Sequence, residues 1–233
     1  MDKEQFILGL CQSQFGTNLA GIIIFGSYNE GPYREGESDV DVFVLLHKFD
    51  KLDLAKEKSI LTNSGEQIRL SVQQLTTLEE LKDRIYREGS WSSWITLICG
   101  SKHIYKTEEF EDFVKEIKEK NIPAENLINY VKHKDELELR GYLGKTIGWD
   151  LTKGIYSHIR RKLQILNYYT TKKLEFSYVS CLTNTKFTEE ERKILTWLSE
   201  MYSARESLTP EAAKMYFDIS KDLTSQIEII LAY

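Results

Sequence analysis

The sequence predicts an α/β (α+β) domain, a mixed sheet with flanking helices, followed by an all-α helical bundle. Short apolar runs of strand length, bounded by glycine and other turn residues, are concentrated in the first half of the chain. From Pro123 onward the strand signals nearly vanish and apolar residues recur at helical spacing. Neither an internal repeat nor a low-complexity linker nor a heptad run interrupts the chain. The change of pattern places a boundary near Asn121 and Ile122, dividing residues 1–120 from residues 121–233.

Phe6, Ile7, Leu10 and Cys11 mark an amphipathic helix over residues 2–14. Gly21 to Phe25 is a β-branched apolar run and reads as a buried strand, after which Gly26 and Ser27 turn the chain into a loop rich in Gly, Pro and charge. A second strand is expected from Asp39 to Leu46, then a helix over Leu52 to Leu61. Ile68, Leu70 and Val72 alternate with Arg69, Ser71 and Gln73, the mark of a half-buried strand. Thr77 with Glu80 forms a capping-box pattern for a helix through Tyr86, and a short strand over Lys102 to Tyr105 precedes a helix capped by Thr107. In the second half Pro123 opens a helix through Leu139, and a longer one is expected over Ile147 to Tyr169. Thr188 with Glu191 and the run Thr209-Pro210-Glu211 are two further helix starts.

Composition narrows the function. Hydrophobic residues make up 41% of the 233 positions and charged residues 29%, a globular balance. Lys and Arg number 31 against 36 Asp and Glu, for a net charge of −5, which disfavours a nucleic-acid coat but allows a local basic site. Cys11, Cys99 and Cys181 are odd in number and lack CxxC spacing, so neither a disulfide framework nor a thiolate zinc site is expected. His47, His103, His133 and His158 show no metal spacing either. Residues 5–29 carry no charge, yet Gln12, Gln14 and Asn18 break the apolar run, and Asp2 and Glu4 stand where a leader would be basic. The expectation is a cytoplasmic chain without a membrane span. Walker-type and Gly-x-Ser-x-Gly patterns are missing from the sequence, which removes P-loop and serine-hydrolase readings.

The informative segment is Phe25-Gly26-Ser27 followed by Asp39-Val40-Asp41. On a strand Asp39 and Asp41 project from one face. Two carboxylates so close within an apolar run (Val40, Val42, Phe43, Val44) repel one another, and a hard divalent cation relieves that cost. Gly26 and Ser27 add accessible backbone N–H groups and a hydroxyl, the equipment of a phosphate-binding turn. The plain alternatives are an edge strand with two solvated acids and an ordinary turn hydroxyl.

The stretch Ile23-Ile24-Phe25-Gly26-Ser27 … Ser38-Asp39-Val40-Asp41-Val42-Phe43-Val44 resembles the signature of the DNA polymerase β-type nucleotidyltransferases. Cys99-Gly100-Ser101-Lys102-His103-Ile104-Tyr105 is similar to the strand that closes many minimal domains of this kind, so the resemblance covers roughly residues 1–115. A helical second half is similar in architecture to the small-molecule (antibiotic) nucleotidyltransferases. The resemblance implies transfer of NMP from an NTP to an acceptor hydroxyl. Asp39 and Asp41 would hold Mg²⁺, with Mn²⁺ as the alternative cation, and Gly26 and Ser27 would contact the nucleotide. Acidic balance favours a small-molecule acceptor over nucleic acid, while relatives in toxin–antitoxin pairs keep a protein or tRNA acceptor open. The oligomeric state is not indicated.

Departures concern Tyr28, which replaces the Arg common after Gly-Ser, and the third carboxylate. The family places an acid on a strand facing the pair. Here that strand is Gln67 to Gln73 and Arg69 holds the outward position. Arg69 would then contact a triphosphate or neutralise the acids, the latter giving a non-catalytic nucleotide- or partner-binding relative. Glu66 has the wrong parity unless a bulge intervenes. Glu136 or Glu138 on a polar helix face are the other candidates for a general base, and the choice stays open. Lys145 and Lys153 are candidate nucleotide contacts from the second half, against a plain surface role. The basic, aromatic run His158 to Lys173 reads as a solvated helix face with tyrosines packed beneath it.

Overall fold

A computed structural model describes residues 2–65, 68–87, 98–119, 131 and 148–232. The chain divides into two compact units, one of residues 1–88 with 94–120 and one of residues 89–93 with 121–233.

In the first unit, α1 (Lys3–Phe15) is capped by Asp2, whose side chain accepts from the Glu4 N–H at 3.0 Å. After a turn of 3₁₀ helix the chain enters β1 (Leu19–Phe25), then the single turn α2 (Ser27–Glu30), β2 (Val40–Leu46), α3 (Asp53–Ser64), β3 (Leu70–Thr77), α4 (Leu78–Arg87), β4 (Lys102–Lys106) and α5 (Glu108–Glu119). The four strands form one mixed sheet in the order β3-β2-β1-β4. β1 runs antiparallel to both β2 and β4, whereas β2 and β3 are parallel and joined through α3. The expected elements of this half are all present, with ends displaced by a few residues.

Both faces of the central strands are covered. Ile22, Ile24, Val42 and Val44 pack with Ile7 and Cys11 of α1 and with Ile60 of α3. Each fully buried side chain of this kind stabilises the unit by about 1.5–3 kcal/mol. On the other face lie Ile23, Phe43 and Leu45, also solvent-free. Here Phe110 of α5 lies so close to Gly21 that a Cβ at residue 21 would sit 2.7 Å from its ring. That spacing explains a glycine inside an otherwise β-branched strand. At the far end of β4, the Thr107 N–H and hydroxyl both donate to the Ala20 carbonyl, each at 3.0 Å. Asp53, buried at the start of α3, accepts from the Asp50 N–H and the Lys56 ammonium at 2.8 and 2.7 Å.

The second unit contains α6 (Trp149–Thr171), α7 (Tyr178–Asn184), α8 (Glu189–Ala204) and α9 (Pro210–Leu231). Ser177, Thr188 and Thr209 cap the last three. Thr188 and Glu191 form a reciprocal capping box, and Pro210 sits in the first turn of α9. The expectation of a solvated basic face over His158 to Lys173 is corrected in part on helix α6: Tyr168 is packed in and Lys172 and Lys173 are exposed as expected, but His158 and Lys162 are buried. Lys162 is 3% exposed, and its ammonium donates to the Ser220 carbonyl, the Ser220 hydroxyl and the Thr224 hydroxyl at 2.9, 2.7 and 2.8 Å, all on α9. An ammonium has three donors, and each meets an oxygen here, so the charge is tolerable away from water. Along the same helix Tyr156 stacks on Tyr202 of α8 at 3.9 Å and on Tyr178 of α7 at 4.8 Å. Among the described residues, no helix is long and apolar enough to cross a membrane.

Candidate active site

The site forms where β1 ends beside the start of β2. The antiparallel register sets Phe25 opposite Asp41, so Gly26 and Ser27 leave β1 next to the chain that enters β2. Gly26 has φ 69° and ψ −151°, a conformation open essentially to glycine alone. A Cβ there would also overlap Asp41 Oδ2. Glycine is therefore required twice at this position, by the backbone turn and by the carboxylate lying against it. Ser27 begins α2, whose turn is closed by the Gly31 N–H donating to the Ser27 carbonyl at 3.0 Å.

Asp39 is exposed immediately before β2, and Asp41 is half-buried within it. Val40 and Val42 between and beyond them point into the core. Strand alternation thus leaves both carboxylates on the face opposite α1 and α3.

The loop from α2 to β2 is tied down from two sides. Ser38 is buried, and its hydroxyl accepts from the Arg34 N–H at 3.1 Å. The Lys3 ammonium of α1 donates to the Tyr33 hydroxyl at 2.8 Å and also meets the Glu35 carboxylate. These two bonds, the one to Glu35 first, raise the Lys3 pKa and keep it a cation. Tyr28 and Tyr33 meet edge-to-face at 5.0 Å, and burial chiefly raises the Tyr28 pKa.

The third face of the site is β3, and here the register departs from simple alternation. β3 pairs Ser71 with Asp41 and Val72 with Val42, but Gln74 with Phe43. One extra residue, Gln73, stands between them as a β-bulge. The Gln73 amide donates to Asp41 Oδ1 at 2.8 Å and to the Ser71 hydroxyl at 2.6 Å. The place across from Asp41 accordingly belongs to Ser71, with Gln73 reaching in, and not to Arg69. Arg69 is exposed ahead of β3, its Nη1 donating to the Glu37 carbonyl at 2.8 Å. Its own carbonyl accepts from the Val40 N–H at 2.7 Å.

The structure thus brings together Gly26, Asp41, Ser71 and Gln73, with Ser27 and Asp39 adjoining along the chain. Glu66, Glu136, Glu138 and Lys145 lie outside the described residues. Lys153 lies over the Trp149 ring on α6, 5.5 Å from its centre. Ser71 and Gln73 were not singled out by sequence reasoning. The available signal was the apolar spacing Leu70, Val72, Leu75, in which one interval of three replaces the strand interval of two.

Similarity to known proteins follows the same geometry. Residues 5–142 match the model of the nucleotidyltransferase domain, more than half of the chain. No protein of curated function matches by sequence. Among solved structures, the spectinomycin adenyltransferase AAD(9) from Enterococcus faecialis, determined with ATP and spectinomycin, is similar at TM-score 0.54 and 14% identity. That match covers 97% of this chain and 98% of the other. A nucleotidyltransferase-like protein from Exiguobacterium sibiricum aligns over 96% of this chain and 75% of its own, at TM-score 0.34 and 12% identity. The MNT antitoxin complex with a tri-AMPylated HEPN toxin from Shewanella oneidensis aligns over 49% of this chain and 79% of that one, at TM-score 0.32 and 17% identity. The likeness to the adenyltransferase supports the fold. With the family match spanning the sheet and the Gly-Ser and Asp-x-Asp elements meeting at one end of its two central strands, the chain belongs to the nucleotidyltransferase domain family.

Proposed function

We propose that this nucleotidyltransferase moves the nucleoside monophosphate of an NTP, in the presence of Mg²⁺, to a hydroxyl of a small antibiotic-like molecule. The observation that carries the reading is the packing of Gly26 directly against Asp41 Oδ2. A side-chain-free turn lying against a carboxylate suits the binding of one triphosphate. Fold similarity to an adenyltransferase bound to ATP and spectinomycin supports ATP as donor and a small acceptor.

The donor set suits the cation. Among the described residues no group of three or more His, Cys, Asp or Glu converges on a point. Mg²⁺ commonly takes one or two carboxylates and completes its shell with substrate phosphates and water, which matches Asp39 and Asp41. The chemistry such an ion supplies is neutralisation of charge on the triphosphate and the leaving pyrophosphate. Gly26 and Ser27 bind and orient the phosphates through backbone N–H groups and the hydroxyl. The acceptor oxygen forms a bond to the α-phosphorus, the bond from that phosphorus to the bridging oxygen breaks, and pyrophosphate departs. The hydroxyl proton passes to a general base, for which Glu136 is the proposed residue. Arg69 and Lys145 are the proposed further nucleotide contacts.

The test is transfer from each α-labelled NTP to a panel of spectinomycin, aminoglycosides, lincosamides, tRNA and protein. Label from ATP on a small molecule is the expected result. Label on tRNA or protein would redirect the acceptor assignment, and nucleotide binding without transfer to any acceptor would make the chain a binding relative.

A further inference from the structure

We infer that Gln73 is a positioning residue for Asp41, standing as a neutral hydrogen-bond donor beside the acid pair. The inference rests on the nucleotidyltransferase reading of Asp39 and Asp41 and adds to it how that pair is held.

Three features of β3 carry it. Gln73 follows Ser71 by two residues and so shares the face of Asp41, and the bulge it forms returns Leu75 to the core side. Its amide nitrogen bonds Asp41 Oδ1 at 2.8 Å and is itself steadied by the Ser71 hydroxyl at 2.6 Å. The other oxygen, Oδ2, lies against Gly26. Asp41 is therefore gripped at both carboxylate oxygens, one by a donor and one by a surface without a side chain. Groups that orient a ligating carboxylate govern its affinity for metal as strongly as many direct ligands do.

The sign of charge is the second part of the inference. A carboxylate at residue 73 would raise the local charge from −2 to −3 and attract a cation on its own. An amide keeps it at −2 and orients Asp41 without adding attraction, so Mn²⁺ alone would bind less tightly than Mn²⁺ with the nucleotide phosphates.

The experiment uses the full chain and calorimetric titration, with Mn²⁺ alone and with Mn²⁺ plus a non-hydrolysable ATP analogue. Gln73→Ala is expected to weaken binding of the Mn²⁺–analogue pair by about tenfold. Gln73→Glu, nearly equal in shape, is expected to tighten binding of Mn²⁺ alone by about tenfold, the effect of one added charged ligand. Thermal unfolding of both variants verifies that each is folded. Weaker binding of the pair in Gln73→Ala at an unchanged melting temperature, with tighter Mn²⁺ binding in Gln73→Glu, supports the inference, because the first reads the lost donor to Asp41 and the second the attraction that the amide lacks. Any other pattern overturns it. Asp41→Asn separates the two levels: if it abolishes analogue binding while both Gln73 variants match the parent, the inference fails and the site reading stands. If Asp41→Asn changes nothing, both fall.

Discussion

The two units handle a charged side chain in opposite ways. In the helical unit, the Lys162 ammonium is shut away from water and meets three oxygens of a single neighbouring helix. In the sheet unit, Asp41 stays half-buried at an open face, held by an exposed glutamine and a glycine. The first arrangement satisfies a charge within the fold, and the second, on the proposed reading, presents one to an incoming group. A buried charge whose donors are all matched serves packing, whereas a charge oriented at a surface serves chemistry. The contrast predicts that substitutions in the two places separate cleanly into losses of stability and losses of function.

The largest effect is expected for Asp41→Asn. It should lower transfer by roughly a thousandfold, about 4 kcal/mol in the barrier, while the melting temperature stays within about 2 °C of the parent. A fall in stability with unchanged transfer would reverse the comparison.

Lys162→Ala is expected next, at about 3 kcal/mol of stability, because it leaves a void and removes the donor that the buried Ser220 carbonyl and hydroxyl accept from. Lys162→Met should recover only the part of that loss that comes from the void, since it fills the space but leaves the same oxygens without a donor. Denaturant unfolding reads both, and nucleotide affinity at 25 °C should be untouched in either.

Gly26→Ala sharpens the other side of the contrast. Strain at φ 69° predicts about 1–3 kcal/mol of destabilisation, and the added Cβ displaces the Asp41 carboxylate. Nucleotide affinity should therefore fall by more than the stability loss alone explains.

The smallest effect belongs to the capping box. Thr188→Ala should cost about 1 kcal/mol of stability with no change in transfer. Hydrogen bonds from the Thr188 hydroxyl, and then from its backbone, lower the Glu191 pKa from its ordinary value of 4.5. An acid with a lowered pKa contributes its stability fully above that ordinary value, and loses it as pH falls through the lowered one. The gap between parent and variant should accordingly narrow below about pH 4.5, as thermal melts across that range would show.

The legible and illegible parts of the molecule divide along physical lines. Caps are local, so Thr188, Thr209 and Pro210 located their helices from the sequence alone. The run Gly21 to Phe25 announced a buried strand because its apolar continuity needs no partner to be seen. Burial of α6 was hidden, since what accommodates Lys162 lies 58 residues further on at Ser220, in side chains that look like ordinary surface. The composition of Ile68 to Gln73 suggested unbroken alternation and put Arg69 opposite the acids. Only the pairing with β2 revealed that Asp41 lies opposite Ser71, two residues beyond Arg69, with the bulged Gln73 next to it.

The position of β1 in the sheet has a consequence for synthesis. β1 is an interior strand, and one of its edges is completed only by β4, with Thr107 closing on Ala20 from 87 residues later. A nascent chain must therefore carry its most apolar segment, Ile22-Ile23-Ile24, with one open edge until residue 107 clears the ribosome. Long-range closures of this kind are slow, and an exposed β-branched edge recruits other chains in the interval. Expression yield should thus respond to translation speed and growth temperature more sharply than the stability of the finished fold would suggest.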